Sequence, residues 1–287
     1  MATKLHTASQ VSQAAAAAAA AATSARVRVV DEHEMEQLIE IEALLVSVWG
    51  TAQHGAPISV DLLRSISHAG CNITAAYNGT GMLCGAAVAI ISPDASTYSL
   101  IAGVLTTAAD AGVGFALKQH QRAWALARGL ERMSWTFDPL VSRNARFNLT
   151  KLGAHAVEYI PNFYGLMHDG INANDESDRL VAVWPLVSQR AIACSLGETV
   201  AVELPAFTSS DVRAVGPDGE PSLVSAADAL WCRVPTDIVA LRSQSPTEAA
   251  AWRSDMRDVF TSAFSSGHSA NGVTRSGWYR LVTGGHR

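Results

Sequence analysis

A run of apolar residues that ends in a glycine turn constrains this chain most strongly. The segment LIAGVLTTAADAGVGFALKQ, residues 100–119, begins as a strand and continues through Gly112 and Gly114 into a helical pattern. A strand, a glycine turn and a helix in this order present free backbone N–H groups at a helix N-terminus, where anions bind. The segment therefore predicts a phosphate-binding turn, although Asp110 precedes both glycines and the first cation is Lys118.

Helix and strand patterns surround this segment in an order typical of a mixed sheet. Asn78 and Gly79 lie between two apolar runs, which is a strong signal for a β-hairpin. Helical periodicity predicts helices over residues 34–49, 59–68, 115–130, 142–152 and 246–264. Strands are predicted over residues 26–30, 73–77, 82–91, 98–105, 132–137, 157–160, 180–184, 230–234, 272–275 and 278–282. Hairpins interspersed with helices favour an α/β fold with a mixed sheet over a purely parallel one.

The two ends of the chain differ in pattern from its centre. Nine alanines, Ala14–Ala22, form a low-complexity run, so we expect residues 1–25 to be a disordered tail or at most a frayed helix. The main domain is expected over residues 26–185. After Pro185 the pattern weakens, and residues 186–287 are expected to form a C-terminal α/β extension.

Composition and charge exclude several classes of function. The net charge of −5 and an isoelectric point near 6.0 argue against a nucleic-acid-binding protein. All apolar runs are shorter than the roughly 18–20 residues that cross a bilayer, so no membrane association is expected. The 4 cysteines lie far apart and the histidines form no ligand motif. We therefore expect reduced thiols, a cytoplasmic protein and no bound metal.

Two long motifs carry a resemblance to a known superfamily. They are WTFDPLVSRNARFNLTKLGA at residues 135–154 and NFYGLMHDGINANDESDRLVAVW at residues 162–184, supported by VWG at 48–50 and ALKQHQRAWALARGL at 116–130. Over residues 26–287 the chain resembles the GNAT superfamily of acyl-CoA-dependent N-acyltransferases, in particular a bacterial branch of predicted acetyltransferases. The resemblance implies a mixed sheet whose fourth and fifth strands splay apart, so that the pantetheine arm of CoA enters between them.

The resemblance also implies an activity. An acyl group, expected to be acetyl, would pass from acetyl-CoA or another acyl-CoA to the amine of a small molecule, such as an amino acid or a natural-product intermediate. One alternative is a GNAT-fold enzyme whose CoA site has degenerated and which runs a CoA-independent reaction in small-molecule biosynthesis. Another is a non-catalytic binding protein. A homodimer is compatible with all three.

The superfamily's phosphate turn, carried over to this chain, departs from the usual pattern. Its Gln/Arg-x-x-Gly-x-Gly/Ala sequence, commonly Arg-Gly-x-Gly-x-Gly, reads Ala-Asp-Ala-Gly-Val-Gly at residues 109–114. Ala109 thus replaces the cation, and Asp110 replaces the first glycine. Backbone amides still bind phosphate without help from side chains, although a nearby carboxylate repels it. The expected contacts to acyl-CoA are Leu105, Ala111, Gly112, Val113, Gly114 and, from a later helix, Asn148.

Three residues are candidates for proton transfer. Asp138 follows a predicted strand and is the candidate general base, with fixing the following turn or capping the next helix as its alternative role. Leu149 occupies the position where many GNAT enzymes place an acidic tyrosine, and leucine has no proton to donate. Tyr159 and Tyr164 are therefore the candidate acids, although Tyr159 also fits a strand residue packed on the sheet.

Four polar residues are candidates for binding the amine acceptor. Arg143 can hold a carboxylate through two hydrogen bonds, which suits an amino-acid-like substrate, and a surface arginine is its alternative reading. Asn144 stands beside it at the start of the same predicted helix. Asn162 and Asp169 belong to the polar loop that follows Ile160.

Overall fold

The chain divides into two structural units, and the boundary between them falls inside a strand. The computed structural model describes residues 8–50, 55–165, 175–199 and 201–284. The first unit consists of Met1–Trp135 and Pro185–Leu196. The second unit consists of Thr136–Trp184 and Gly197–Arg287.

Eight α-helices and twelve β-strands occur among the described residues. In chain order the helices are α1 (Ala8–Ser24), α2 (Met35–Trp49), α3 (Val60–His68), α4 (Val113–Ala127), α5 (Ser142–Arg146), α6 (Gln189–Ser195), α7 (Ile238–Gln244) and α8 (Pro246–Ser265). The strands are β1 (Arg28–Asp31), β2 (Asn72–Tyr77), β3 (Leu83–Ser92), β4 (Ser96–Val104), β5 (Arg132–Phe137), β6 (His155–Ile160), β7 (Arg179–Pro185), β8 (Val212–Val215), β9 (Pro221–Ala226), β10 (Ala229–Arg233), β11 (His268–Val273) and β12 (Trp278–Thr283). Shorter helical turns lie at Thr106–Ala108, Phe147–Lys151 and Ser209–Asp211.

The first unit contains the mixed sheet that the sequence predicts. Strands β1 to β4 are antiparallel neighbours in chain order, and β5 joins β4 in the parallel direction. The predicted hairpin connects β2 to β3 through Asn78, whose Oδ1 accepts hydrogen bonds from the backbone N–H groups of Thr80 and Met82 at 3.0 Å. The mixed α/β fold class and this hairpin are therefore confirmed.

Two glycines allow helices to approach opposite faces of this sheet. A Cβ atom at Gly85 of β3 would lie 3.0 Å from Cγ1 of Val113 on α4. A Cβ atom at Gly103 of β4 would lie 2.7 Å from Cζ3 of Trp49 on α2. Because Gly103 pairs with Ala86, the neighbour of Gly85, the two glycines face opposite sides of the sheet. Larger residues at these positions would push α2 and α4 away from the strands.

The second unit contains a seven-stranded antiparallel sheet. Its order is β7-β6-β11-β12-β10-β9-β8, and Ala156 of β6 pairs with Ala270 of β11. Helix α8 packs on it through Phe260, whose ring lies 5.5 Å from that of Tyr159 and 5.2 Å from that of Tyr279. The C-terminal strands therefore extend the sheet of β6 and β7.

The domain boundary expected at residue 185 is corrected by the path of the chain around α6. Strands β6 and β7, placed by the sequence in the main domain, share a sheet with the C-terminal strands. Residues 185–196 instead belong to the first unit. There the backbone N–H of Leu186 donates to the carbonyl of Glu131 at 2.8 Å, and its own carbonyl accepts from Nε of Arg122 at 2.8 Å.

The expectation of a disordered tail, or at most a frayed helix, over residues 1–25 is corrected by α1, which is a packed helix. The buried residues of α1 are Ala14, Ala17, Ala18 and Ala21, one helical face in contact with α4. Just before the alanine run, Oε1 of Gln13 accepts from Nη2 of Arg122 at 2.9 Å, and Nε2 of Gln13 donates to Oγ of Ser195 at 3.0 Å. Alanine favours the helix and lets two helices approach closely, so a run of low complexity becomes a packing face.

We predict that the two faces of α1 respond differently to the same substitution. Ala14→Leu should lower the free energy of unfolding by about 1–3 kcal/mol, because Ala14 is fully buried and a larger side chain overpacks its contact. Ala15→Leu is the matched control, because Ala15 is exposed on the same helix. Urea denaturation of both variants measures the difference. Equal stability of the two variants would indicate that α1 is not packed.

Candidate functional site

The predicted phosphate turn connects β4 to α4 and ends at a helix N-terminus without a side-chain cap. Gly112 is the N-cap residue, with φ of 86°, and no side chain caps the helix there. The first N–H groups of a helix have no acceptor within it, so those after Gly112 are available to a ligand. The side chain of Val113 is buried, which leaves its backbone N–H as the group that can contact an anion.

Asp110 adopts the backbone conformation that the missing glycine would favour. Its φ is 65°, in the left-handed region, and its side chain is exposed. A residue with a Cβ atom reaches this region at a cost of about 1 kcal/mol, and aspartate tolerates it better than most. The turn thus keeps a glycine-like backbone while carrying a carboxylate. Ala111 is exposed in the same turn, and Leu105, at its start, donates its backbone N–H to the carbonyl of Cys84 at 3.0 Å.

The parallel register of β4 and β5 is short. Thr97 pairs with Met133 and Tyr98 with Ser134, whereas β4 continues to Val104. An irregularity follows at once, because β3 pairs with Ser99 and then with Ile101. This bulge bends β4 next to the point where the parallel register stops.

Sequence reasoning missed a buried lysine next to this point. Nζ of Lys118 on α4 donates to Oγ of Ser99 at 2.7 Å and lies 4.0 Å from the centre of the Trp135 ring. Burial lowers the pKa of Lys118 to about 7. Lys118 lies on the side of α4 that contacts β4 and β5, so its burial depends on strands that the local sequence does not place there. No local sequence signal distinguishes Lys118 from a surface lysine.

Asp138, the candidate general base, is held by two arginines in the second unit. Its Oδ2 accepts from Nη2 of Arg242 at 2.6 Å and from Nη2 of Arg253 at 2.9 Å, and its Oδ1 accepts from Nη1 of Arg253 at 2.9 Å. Oδ1 also accepts from the backbone N–H of Leu140 at 2.9 Å. Burial alone would raise the pKa of Asp138, but the two arginines outweigh it and hold this pKa well below its ordinary value. Such a carboxylate is a poor base, and the geometry favours its alternative role in fixing the turn.

The hydroxyl group of Tyr159, one candidate acid, is buried in a hydrogen bond to a carboxylate. It donates to Oδ2 of Asp178, which also accepts from Nε of Arg257 at 3.1 Å. Burial and the carboxylate of Asp178 raise the pKa of Tyr159 well above its ordinary value. A group that holds its proton this firmly is a poor acid, so the geometry favours the packing role of Tyr159.

Tyr164 and Asn162, by contrast, lie in an exposed loop of the second unit. The side chain of Tyr164 is half-exposed, its hydroxyl lies 3.4 Å from Oγ1 of Thr136, and the guanidinium of Arg179 lies 5.3 Å from its ring centre. The backbone N–H of Asn162 donates to Oδ1 of Asp178 at 2.9 Å. These contacts fix the start of the loop and leave the Tyr164 ring accessible.

The remaining candidates from the sequence divide into exposed and buried groups. Arg143 and Asn144 are exposed on α5. Asn148 is buried in the π-helical turn after α5, and its Nδ2 donates to Oδ1 of Asn144 at 3.3 Å. Asp169 lies outside the described residues. The structure thus brings Asn144 and Asn148 together, while Leu105 and residues 111–114 belong to the other unit.

The described residues contain neither a cluster of metal ligands nor a membrane-spanning helix. No group of three or more His, Cys, Asp or Glu side chains among them could hold a metal ion. None of their helices has the length and hydropathy needed to cross a bilayer.

Solved acetyltransferase structures are similar to part of this chain. Ard1 from Thermoplasma volcanium is 12% identical over 57% of this chain and 99% of its own, with a TM-score of 0.46. The ribosomal-protein-S18-alanine N-acetyltransferase from Escherichia coli is 13% identical over 56% and 95%, with a TM-score of 0.45. A GNAT superfamily phosphinothricin acetyltransferase from Sinorhizobium meliloti, in complex with AcCoA, is 14% identical over 56% and 88%, with a TM-score of 0.45. The chain matches no protein-family model and no curated protein.

We predict that Asp138→Asn lowers the free energy of unfolding by about 3 kcal/mol near neutral pH, because two buried guanidinium groups lose their shared anion. The pKa of Asp138 is lower in the folded chain than in the unfolded one. Its contribution is therefore present above about pH 4 and is lost as the pH falls further. The difference between wild type and variant in urea denaturation should shrink over that acidic range.

Asp218→Asn is the control for this prediction. Asp218 pairs with Nη1 of Arg233 at 2.8 Å but is partly exposed, so its loss should cost less than about 1 kcal/mol. Equal losses in the two variants, or a difference that persists unchanged at acidic pH, would contradict the role assigned to Asp138.

Proposed function

We propose that this chain is an acyltransferase that moves an acyl group, most simply acetyl, from acyl-CoA to the amine of a small molecule. The observation that carries the proposal is the turn before α4. It combines left-handed residues at Asp110 and Gly112 with an uncapped N-terminus of a fifteen-residue helix. Such a turn suits the pyrophosphate of CoA, because free N–H groups and the helix dipole both favour an anion.

Each part of the cosubstrate has a proposed place in the first unit. The backbone N–H groups of Gly112, Val113 and Gly114 would hold the pyrophosphate. The pantetheine arm would extend along β4 beyond Tyr98, where the register with β5 ends. The arm resembles an extended peptide and can add hydrogen bonds at a strand edge.

The acceptor amine has candidates in the second unit. Tyr164, Arg143 and Asn144 present exposed groups there, and they remain proposed acceptor contacts. Arg143 would suit a carboxylate on an amino-acid-like acceptor. Asp138 and Tyr159 are assigned to folding, because the lowered pKa of Asp138 makes it a poor base and the raised pKa of Tyr159 makes it a poor acid.

The alternative, a CoA-independent reaction in the same fold, is favoured by one observation. Asp110 places an exposed carboxylate in the turn, and Ala109 supplies no cation. A carboxylate about 6 Å from a pyrophosphate would weaken its binding by roughly 1–3 kcal/mol, with screening by salt lowering that figure. The turn is therefore either a weakened CoA site or a former one.

We predict that acetyl-CoA binds the wild-type chain at up to millimolar ligand and that Asp110→Asn tightens binding roughly tenfold by removing one negative charge. Asp110→Gly should tighten binding to a similar degree. It should also stabilise the free protein by about 1 kcal/mol, because glycine adopts a left-handed φ without strain. Isothermal calorimetry with acetyl-CoA and thermal unfolding measure the two effects separately.

Asp61→Asn provides the control, because Asp61 is exposed in the first turn of α3. It should leave acetyl-CoA binding unchanged. If neither wild type nor Asp110→Gly binds acetyl-CoA at millimolar ligand, the acyl-CoA proposal fails and the CoA-independent reading takes its place. Weaker binding after Asp110→Asn would assign the carboxylate a positive role.

A further inference from the structure

Lys118 occupies the point at which the parallel pairing of β4 and β5 stops. The last pair joins Tyr98 to Ser134, so the next residues along the two strands are Ser99 and Trp135. Lys118 contacts both of them, through a 2.7 Å hydrogen bond to Oγ of Ser99 and over the ring of Trp135. A cation on α4 is thereby fixed against both strands at the start of their divergence.

The hydrogen bonds around Lys118 form a series in which Lys118 donates to Ser99 and Ser99 donates to Gln121. The hydroxyl of Ser99 donates to Oε1 of Gln121 at 3.0 Å, so its lone pair is free to accept from Nζ of Lys118. The side chain of Lys118 is 5% exposed. The hydrogen bond to Ser99 orients Nζ of Lys118 and uses one of its three N–H groups, so the other two can donate to a further acceptor.

No carboxylate among the described residues forms an ion pair with Lys118. The titratable and charged groups on the strands packed against α4 are Arg28 and Asp31 on β1, Tyr77 on β2, Cys84 on β3, Tyr98 on β4 and Arg132 on β5. Helix α1 contributes none. Asp31 instead receives Nε2 of His120 at 2.8 Å, and Arg132 binds Asp94. The pKa of Lys118 is therefore lowered by burial with no opposing charge, to about 7.

The proposed reaction requires an acid, and two of the positions considered above do not supply one; Tyr164, the third, is proposed above as a contact of the acceptor. When the amine attacks the thioester, a C–N bond forms, the C–S bond breaks, and a thiolate leaves. Leu149 has no proton to give, and Tyr159 donates its proton to Asp178. The position of Lys118 at the diverging strands is where an arm lying along β4 would pass.

We propose that Lys118 is the general acid that protonates the departing CoA thiolate, an inference that rests on the acyl-CoA function proposed above. The proton leaves Nζ of Lys118 for the sulfur, while the attacking amine loses its own proton to solvent as the amide forms. Neutral Lys118 then regains a proton from solvent, so charge and atoms balance. The transfer is downhill, because a thiol has a pKa of about 8.5 and the pKa of Lys118 is about 7.

The first test follows Lys118 directly and needs no acceptor substrate. The sequence contains three lysines, Lys4, Lys118 and Lys151, so carbon-13 labelling of lysine gives few side-chain signals in NMR spectra. Lys118→Met identifies one of them. We expect that signal to titrate near neutral pH and to shift when acetyl-CoA or free CoA is added. The signal of Lys151 serves as the internal control and should stay in place.

The second test measures thiol release from acetyl-CoA with hydroxylamine as a surrogate amine. Lys118→Met should lower the rate roughly 100-fold or more while acetyl-CoA affinity in calorimetry changes little. In wild type the rate should fall as pH rises above about 7, whereas Lys118→Arg should be slow and without that decline, because arginine stays protonated and holds its proton too firmly to donate it. Arg128→Met is the matched control, since Arg128 also lies over a tryptophan ring at the end of α4.

The outcomes separate this inference from the function on which it rests. If wild type fails to bind acetyl-CoA, the proposed function fails first. If acetyl-CoA binds but the Lys118 signal does not move, Lys118 is not at the thioester and the inference is overturned. Wild-type thiol release by Lys118→Met would overturn it as well. The NMR titration itself is measured on the unaltered chain, and Lys118→Met serves only to assign the signal.

Discussion

A single buried carboxylate, Asp138, organises the second unit. Its two oxygens bind Arg242 from α7 and Arg253 from α8, and Asp175 binds both arginines again. Two guanidinium groups in a low-dielectric interior are tolerable only if anions lie directly against them. The residue that follows β5, the last part of the loop between β6 and β7 at Asp175, and the helices α7 and α8 are therefore joined by one network of ion pairs.

Local patterns were sufficient to predict much of the fold. The strand at 132–137 is β5, and the helix predicted from Pro246 is α8, whose proline stands at its first position. The hairpin at Asn78 forms as its turn chemistry indicates. In each case the signal lies within a few residues, so no knowledge of distant partners is needed.

Contacts between distant residues could not be predicted in the same way. The alanine run has no periodic pattern in the sequence, because all its residues are alike. Only the contact with α4 distinguishes its buried face from its exposed one. The partners of Asp138 follow it in the chain by more than one hundred residues, as Arg242 and Arg253, and no motif links them to it. The burial of Lys118 likewise depends on residues that are remote in sequence, Ser99 on β4 and Trp135 on β5. The sequence predicts the glycine turn, but it does not predict the left-handed backbone conformation of Asp110.

The number of residues in the alanine run sets the distance and the rotation between two contacts of α1. Gln13, which precedes the run, is hydrogen-bonded to Arg122 and Ser195, and Ala25, which follows α1, lies 3.6 Å from the position of a Cβ atom on Gly112. The helix between these two attachment points rises about 18 Å, at roughly 1.5 Å and 100° per residue. One alanine added within the run would leave the composition almost unchanged. It would rotate Gln13 by about 100° relative to Ala25, away from Arg122 and Ser195. The length of this tract therefore bears on the contact between Ala25 and the glycine turn.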